Sequence, residues 1–187
     1  MLNLQNRNLQ PELMDDPNLS KEELLLALKD LDRLNKISLT ATSISNEIKK
    51  LIPLRHADSI TILDLGSGSG AILCETVKQL LKAGVNVTGI GIDLNPVSIE
   101  QANLLATKLS LPVTFQHYDA IQALKSIKFD IAISSLFLHH LPENLVQELF
   151  ENVSKHAKIG MVMSDLNKFC NCIYCNTSIF KLKDCPL

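Results

Sequence analysis

The feature that most constrains the fold is a glycine-rich loop between a strand pattern and a helix pattern. Residues 60–65 form a short β-branched apolar run, which Gly66-Ser67-Gly68-Ser69-Gly70 follows directly. Residues 71–83 then have a helical apolar period that ends at Gly84. Because glycine adopts backbone conformations that other residues rarely adopt, the chain can turn sharply at this loop. The segment therefore predicts a strand, a tight loop and a helix.

The same unit recurs along the chain. Asp93 ends a second apolar run, after which Asn95 caps and Pro96 begins another helix. Alternating strands and helical crossovers imply a mainly parallel sheet whose ligand crevice lies at the carboxyl ends of the strands. We therefore expect an α/β fold, a doubly wound sheet of about five strands with helices on both faces. The predicted strands are 60–65, 85–92, 113–117, 129–135 and 159–164, and a further helix is predicted over 142–156.

Two predicted helices precede the first strand. Ser20 and Glu23 have capping-box spacing at the start of a helix over 20–35, and a second helix over 42–51 stops before Pro53. We therefore divide the chain into three parts. They are an N-terminal helical cover (1–54), a ligand-binding α/β domain (55–166) and an irregular, cysteine-containing tail (167–187).

The composition excludes several classes of protein. With 187 residues, 46% of them hydrophobic and 20% charged, the chain has enough apolar material for a buried core. A formal charge of −2 argues against a partner that presents many phosphates, so we expect no nucleic-acid binding. The sequence has neither an apolar run of membrane-spanning length nor a secretory signal pattern, which predicts a cytoplasmic protein without a membrane span.

Acidic residues near the glycine loop indicate the kind of ligand. The N–H groups of the loop, at the start of a helix, suit an anion, and the loop with Ala71 also fits the dinucleotide pattern G-x-G-x-x-G/A. Asp93 stands 23 residues after Gly70, where a carboxylate binds a ribose diol or, alternatively, caps a helix. Asp64, inside the mouth of a strand, needs a partner to offset its desolvation, and an ammonium group on the ligand is one candidate.

Four segments of the chain resemble, in order and spacing, the successive motifs of class I S-adenosylmethionine-dependent methyltransferases. They are Ile62–Gly70, Gly89–Pro96, Tyr118–Ala120 and Phe129–Ser135. The resemblance implies a Rossmann-like domain and S-adenosylmethionine as the cofactor. It also implies the residues that bind this cofactor. They are Gly66, Gly68 and Gly70 at the methionine portion, Ser67 in the same loop, Asp64 and the Ser134–Ser135 region at the ammonium end, Asp93 at the ribose, Leu94 at the adenine face, and Asp119 with Ala120 at the adenine edge.

Two further segments resemble one branch of these enzymes. Leu138–Pro142 is similar to the small-molecule branch that serves quinone and polyketide biosynthesis, and residues 11–17 resemble an N-terminal cover found in secondary metabolism. The resemblance implies methyl transfer to a small, partly apolar acceptor, aromatic or enolic. His139 or His140 is then a candidate catalytic base, since histidine exchanges a proton near neutral pH, or alternatively a packed or capping residue.

The end of the chain departs from the family pattern, which continues with a helix and a final pair of antiparallel strands. Only 22 residues follow Asp165, without a clear period, so we expect this strand pair to be missing and the tail to be poorly packed. Cys170, Cys172, Cys175 and Cys185 lack the paired C-x-x-C spacing of zinc sites, and we expect no metal. Two alternatives therefore stay open: a catalytically impaired remnant or scaffold that binds S-adenosylmethionine, and, less favoured, an NAD-dependent oxidoreductase.

Overall fold

The computed structural model describes residues 19–37, 39–52, 59–166 and 175–181. These residues contain one sheet of six strands. The strands are β1 (Ile60–Leu65), β2 (Val87–Asp93), β3 (Val113–His117), β4 (Ile131–Ser135), β5 (Gly160–Leu166) and β6 (Cys175–Lys181). Their order in the sheet is β3-β2-β1-β4-β5-β6; β1 to β5 are parallel, and β6 runs antiparallel to β5. The predicted α/β sheet with a core of five parallel strands is confirmed.

Helices cover both faces of the sheet. The helices are α1 (Lys21–Ile37), α2 (Thr40–Leu51), α3 (Ala71–Lys82), α4 (Pro96–Leu109), α5 (Ala120–Ser126) and α6 (Glu143–His156). Because side chains alternate along a strand, Ile62 packs on one face with α2, α3 and α4, whereas Leu63 and Leu65 pack on the other with α5 and α6. Two buried apolar cores therefore sandwich the sheet, which is the predicted doubly wound arrangement.

Local capping explains where two of these helices begin. The backbone N–H of Ser20 donates to Glu23 Oε2 at 3.1 Å, and the N–H of Glu23 donates to Ser20 Oγ at 3.3 Å, which closes the predicted capping box of α1. Asn95 accepts from the N–H groups of Val97 and Ser98 at 2.9 and 3.3 Å, just before Pro96. None of the helices within the described ranges is both long and apolar enough to cross a membrane.

Helix α5 was not predicted from the sequence. Its seven residues are too few to display an apolar period, and the side chain of Asp119 begins it by accepting from Gln122 N–H at 3.0 Å. Ile121 and Leu124 are buried in the core that α5 shares with α6. Packing of these side chains, rather than helix propensity, therefore stabilises α5.

The prediction of an irregular tail is wrong for Cys175–Lys181, which form β6. This strand pairs with β5 along its whole length, from Leu166 opposite Cys175 to Gly160 opposite Lys181. An uncovered edge of β5 would leave unpaired backbone groups, and these select an extended partner even without an alternating side-chain pattern. The described residues thus contain one antiparallel strand where the family pattern implies a pair. Cys170, Cys172 and Cys185 lie outside the described residues.

We predict that Gly91→Ala destabilises the protein by about 1–3 kcal/mol, the usual range for overpacking a core. A Cβ atom at Gly91 would lie 2.3 Å from Phe115 Cδ1 and 3.0 Å from Ser67 Cβ. The free energy of unfolding, measured in urea, tests this. Phe115→Leu removes part of the obstruction, so the double variant should lose less stability than the sum of the single variants. A Gly91→Ala protein as stable as the wild type would contradict the close approach.

Candidate active site

A cavity of about 640 Å³ opens at the carboxyl ends of the parallel strands, where the fold places a ligand crevice. One wall comes from the glycine loop and the residues after β2 and β3. The rest of the lining includes residues from the segment after β4 and from α1, which contributes Leu24 and Leu28. The predicted site residues that line it are Gly66, Asp93, Leu94, Asp119, Ala120 and His140.

The backbone of the glycine loop folds back on β2. The N–H groups of Gly66 and Ser67 donate to the carbonyl of Ile92 at 3.0 and 2.9 Å, and the N–H of Gly70 donates to the Ser67 carbonyl at 2.9 Å. The N–H of Gly68 donates to the Asp93 carboxylate. The expectation of a cradle of exposed N–H groups is therefore wrong for these four residues, because the loop uses them to hold its own shape.

The loop instead brings its backbone close to other parts of the site. Gly66 has φ +71°, and a Cβ atom there would lie 2.4 Å from Phe137 Cδ2. Gly70 has φ +76°, and its Cβ atom would lie 2.5 Å from Phe115 Cζ. Glycine is required at both positions by the left-handed backbone and by the lack of space.

Asp93 connects the loop to the beginning of α4. Its Oδ2 accepts from Gly68 N–H at 2.9 Å, and its Oδ1 accepts from Asn95 N–H at 2.8 Å. Each carboxylate oxygen has a second acceptor direction, so both retain the capacity to accept a hydrogen bond from a diol. The two sequence interpretations of Asp93, a structural carboxylate and a ribose acceptor, are therefore compatible.

The adjacent residues after β2 and β3 form an apolar surface next to Asp93. Leu94 lines the cavity although its side chain is 65% exposed, which leaves an apolar face for a flat ligand. His117, to which the sequence assigned no role, donates from Nε2 to the Leu94 carbonyl at 2.8 Å and holds this turn. Asp119 caps α5 and lines the same wall with Tyr118 and Ala120.

Asp64 is the buried acid of the site. Its side chain is 2% exposed, and no described residue donates a hydrogen bond to its carboxylate. Burial, with a smaller contribution from the charge of Asp93, raises the pKa of Asp64 from 3.8 to about 7. A ligand that brings a positive charge to this carboxylate would restore its ionised form.

Three serine hydroxyls near the strand ends are also unsatisfied. The Oγ atoms of Ser67, Ser134 and Ser135 are buried and have no hydrogen-bond partner among the described residues. Ser134 lies opposite Leu65, the strand neighbour of Asp64. Buried polar atoms normally have hydrogen-bond partners. A carboxylate that can accept from an ammonium group, together with hydroxyls that can donate to a carboxylate, is complementary to a zwitterionic amino acid group. The chemistry of these side chains matches the methionine portion of S-adenosylmethionine, although neither Asp64 nor any of the three serines is among the residues that line the cavity.

The two histidines after β4 have different surroundings. His140 lines the cavity, whereas His139 is buried and its Nδ1 lies 2.6 Å from Asp165 Oδ1. The two rings lie beside each other, with centroids 4.2 Å apart. Asp165, at the end of β5, was not identified from the sequence, because nothing local connects it with a residue 26 positions earlier.

We predict that Asp64→Asn changes how stability depends on pH. In the wild type the unfolded state loses the Asp64 proton near pH 3.8, but the folded state retains it to about pH 7, so stability falls as the pH rises between these values. The free energy of unfolding of Asp64→Asn should therefore rise relative to that of the wild type across this window, by up to about 4 kcal/mol above pH 7. Urea unfolding between pH 4 and pH 8 measures this, and the exposed Asp30→Asn serves as the control. A constant difference between variant and wild type would contradict the raised pKa.

Comparisons with known proteins agree with this geometry. The methyltransferase-domain family matches residues 56–178. Ribosomal protein L11 methyltransferase of Geotalea uraniireducens (strain Rf4) is 30% identical over 109 residues, which are 58% of this chain and 32% of that protein. The chain spans between 31% and 39% of the length of the curated relatives that it matches.

Two solved structures share the fold. An O-methyltransferase family protein from Burkholderia thailandensis superposes with a TM-score of 0.62 at 16% identity, covering 77% of this chain and 41% of that one. Magnesium protoporphyrin IX methyltransferase from Synechocystis PCC 6803, solved with bound S-adenosylmethionine, gives a TM-score of 0.57 at 16% identity, covering 82% of this chain and 79% of that one. The chain therefore belongs to the methyltransferase-domain family and has the fold of the class I, S-adenosylmethionine-dependent enzymes.

Proposed function

We propose that the protein transfers a methyl group from S-adenosylmethionine to a small, partly apolar acceptor, aromatic or enolic, with His140 as the catalytic base. The observation that carries this proposal is the composition of the cavity. Asp93, Asp119 and the loop line one part of it, and Phe137, Leu141 and Leu145 line another, next to His140. A polar nucleoside part and an apolar acceptor part thus adjoin in one space.

Each end of the cofactor finds a chemically matched group. Asp64 accepts from the ammonium group, the serine hydroxyls donate to the carboxylate, and Asp93 accepts from the ribose hydroxyls. Leu94 contacts the adenine face, with Asp119 and Ala120 at the adenine edge. When bound, S-adenosylmethionine supplies an electrophilic methyl group on a positively charged sulfur. The burial of Asp64 supports this assignment, because its desolvated carboxylate lacks a partner among the described residues.

The acceptor part is enclosed by apolar side chains. Leu24 and Leu28 of α1 face the cavity from the cover, and Phe137, Leu141 and Leu145 complete the wall. Such walls exclude water and bury an apolar ring. Beyond this, methyl transfer requires mainly that the nucleophile approaches the methyl group in line. The cavity of about 640 Å³ offers space for a small acceptor beside the cofactor.

His140 is suited to remove the acceptor proton. Its position in the cavity wall puts it within reach of the acceptor part, while His139 is engaged with Asp165. A phenol or enol becomes a good nucleophile only as its proton leaves, and histidine accepts a proton near neutral pH. We therefore assign the base to His140 and give His139 a structural role.

We place this activity in the cytoplasm and in secondary metabolism. The resemblance of Leu138–Pro142 to methyltransferases of quinone and polyketide biosynthesis supports the metabolic setting. Cys74 is a buried free thiol, as is usual in a reducing compartment. A formal charge of −2 favours a small molecule over a nucleic acid as the acceptor.

We predict that Asp93→Ala weakens binding of S-adenosylhomocysteine, the demethylated cofactor, by about 1.5–3 kcal/mol, the range for a lost hydrogen bond to a charged group. Titration calorimetry measures the affinity. Asp30→Ala removes an exposed carboxylate that pairs with Arg33 and should bind like the wild type. Tight binding of NAD without binding of S-adenosylhomocysteine would overturn the proposal in favour of an oxidoreductase.

We predict that His140→Gln lowers kcat for a phenolic probe such as catechol by about 100-fold or more, the usual contribution of a general base. The KM for S-adenosylmethionine should not change, and turnover is followed as S-adenosylhomocysteine formed. His156→Gln, at the exposed end of α6, is the matched control. Unchanged kcat in His140→Gln would remove this histidine from the mechanism. Cofactor binding without turnover of phenols or enols by the wild type would support the impaired remnant.

A further inference from the structure

The segment that carries His140 begins with a strained residue. Leu136 has φ +51°, a left-handed conformation that costs a residue with a side chain of the order of 1 kcal/mol. The following turn, Leu138–His140, is a single turn of 3-10 helix. Neither feature is stable by itself, so the conformation of this segment depends on contacts from elsewhere.

The end of β5 supplies these contacts. The carbonyl of Ser164 accepts from Leu136 N–H at 2.8 Å, immediately before Asp165. Both oxygens of Asp165 then contact one residue of the turn: Oδ1 accepts from His139 Nδ1 at 2.6 Å, and Oδ2 accepts from His139 N–H at 3.2 Å. One carboxylate thus fixes the backbone and the ring of His139 at the same time.

The surroundings strengthen this contact. The side chains of His139 and Asp165 are only 9% and 20% exposed, so water competes weakly for their hydrogen bonds. The pair is therefore a firm attachment between the turn and β5.

The attachment also determines where the next residue faces. The ring of His139 packs against the ring of His140, with centroids 4.2 Å apart and planes inclined by 35°. Because the backbone and the ring of His139 are fixed, His140 is directed into the cavity that it lines.

We infer that Asp165 is a positioning residue, which acts through His139 to hold the ring of His140 toward the acceptor part of the cavity. This inference rests on the proposed function, in which His140 receives the acceptor proton. Asp165 is not among the residues that line the cavity; through His139 it determines how often the base is in the productive orientation.

Motion of the His140 ring tests the inference without any chemistry. Carbon-13 relaxation of histidine-labelled protein should show a more mobile His140 ring in Asp165→Asn than in the wild type. Asp130→Asn is the matched control, because Asp130 also accepts a backbone N–H, that of Thr61 at 2.7 Å, and pairs with Lys158 far from the turn. An equally ordered His140 ring in Asp165→Asn and the wild type would overturn the inference.

A pair of substitutions at His139 provides the test should Asp165→Asn fail to fold. The side chain of His139→Asn retains an N–H donor close to the place of Nδ1, whereas His139→Leu offers no donor to Asp165. His139→Asn should therefore keep the His140 ring ordered, and His139→Leu should release it. Equal mobility in the two variants would contradict a role for the carboxylate.

Kinetics separate the inference from the proposed function. With catechol as the probe, Asp165→Asn should lower kcat by up to about 100-fold, the scale of a misplaced catalytic group, without changing the KM for S-adenosylmethionine. In a His140→Gln background the same substitution should cause no further loss. If His140→Gln itself is harmless, the proposed base is wrong, while the ring relaxation still decides whether Asp165 orients His140. An equal loss of kcat in both backgrounds would show that Asp165 acts on the reaction independently of His140 and would overturn the inference.

Discussion

The hydrogen bonds of the Asp93 carboxylate are the interaction on which the candidate site depends. They join the glycine loop, through Gly68, to the start of α4, through Asn95. Since the loop also bonds to Ile92 in β2, the ends of β1 and β2 and the starts of α3 and α4 form one unit. The remaining walls of the cavity, from the segments after β3 and β4 and from α1, are arranged around that unit.

The backbone and the side chains therefore have different roles in the site. The loop contributes its shape and its close approach to Phe137. In the proposed function, recognition of the cofactor falls to carboxylates and hydroxyls: Asp64, Asp93 and Ser134. The apolar side chains after β4 and on α1 complete the enclosure. Substitutions in the segment after β4 or in α1 would therefore change the acceptor part of the cavity without disturbing the unit that Asp93 holds together.

Local chemistry predicted most of the fold, and long-range contacts account for what was missed. The start of α4 follows from Asn95 and Pro96, and the capping box of α1 follows from Ser20 and Glu23, because these signals act over a few residues. Helix α5 depends on burial against α6, and β6 depends on the exposed edge of β5, so neither leaves a periodic pattern in the sequence. In the site, the motifs locate the cavity, but the adjacent His139 and His140 differ in their surroundings, because His139 contacts Asp165, a residue 26 positions away in the sequence.

The burial of Asp64 has a consequence for binding as well as for stability. Without a ligand, this carboxyl group holds its proton up to about pH 7. In the proposed complex an ammonium group at Asp64 favours the ionised carboxylate, so the cofactor would expel a proton as it binds. Cofactor affinity and proton concentration would then be linked near neutral pH, and a fall in pH would weaken the complex through a residue that takes no part in methyl transfer.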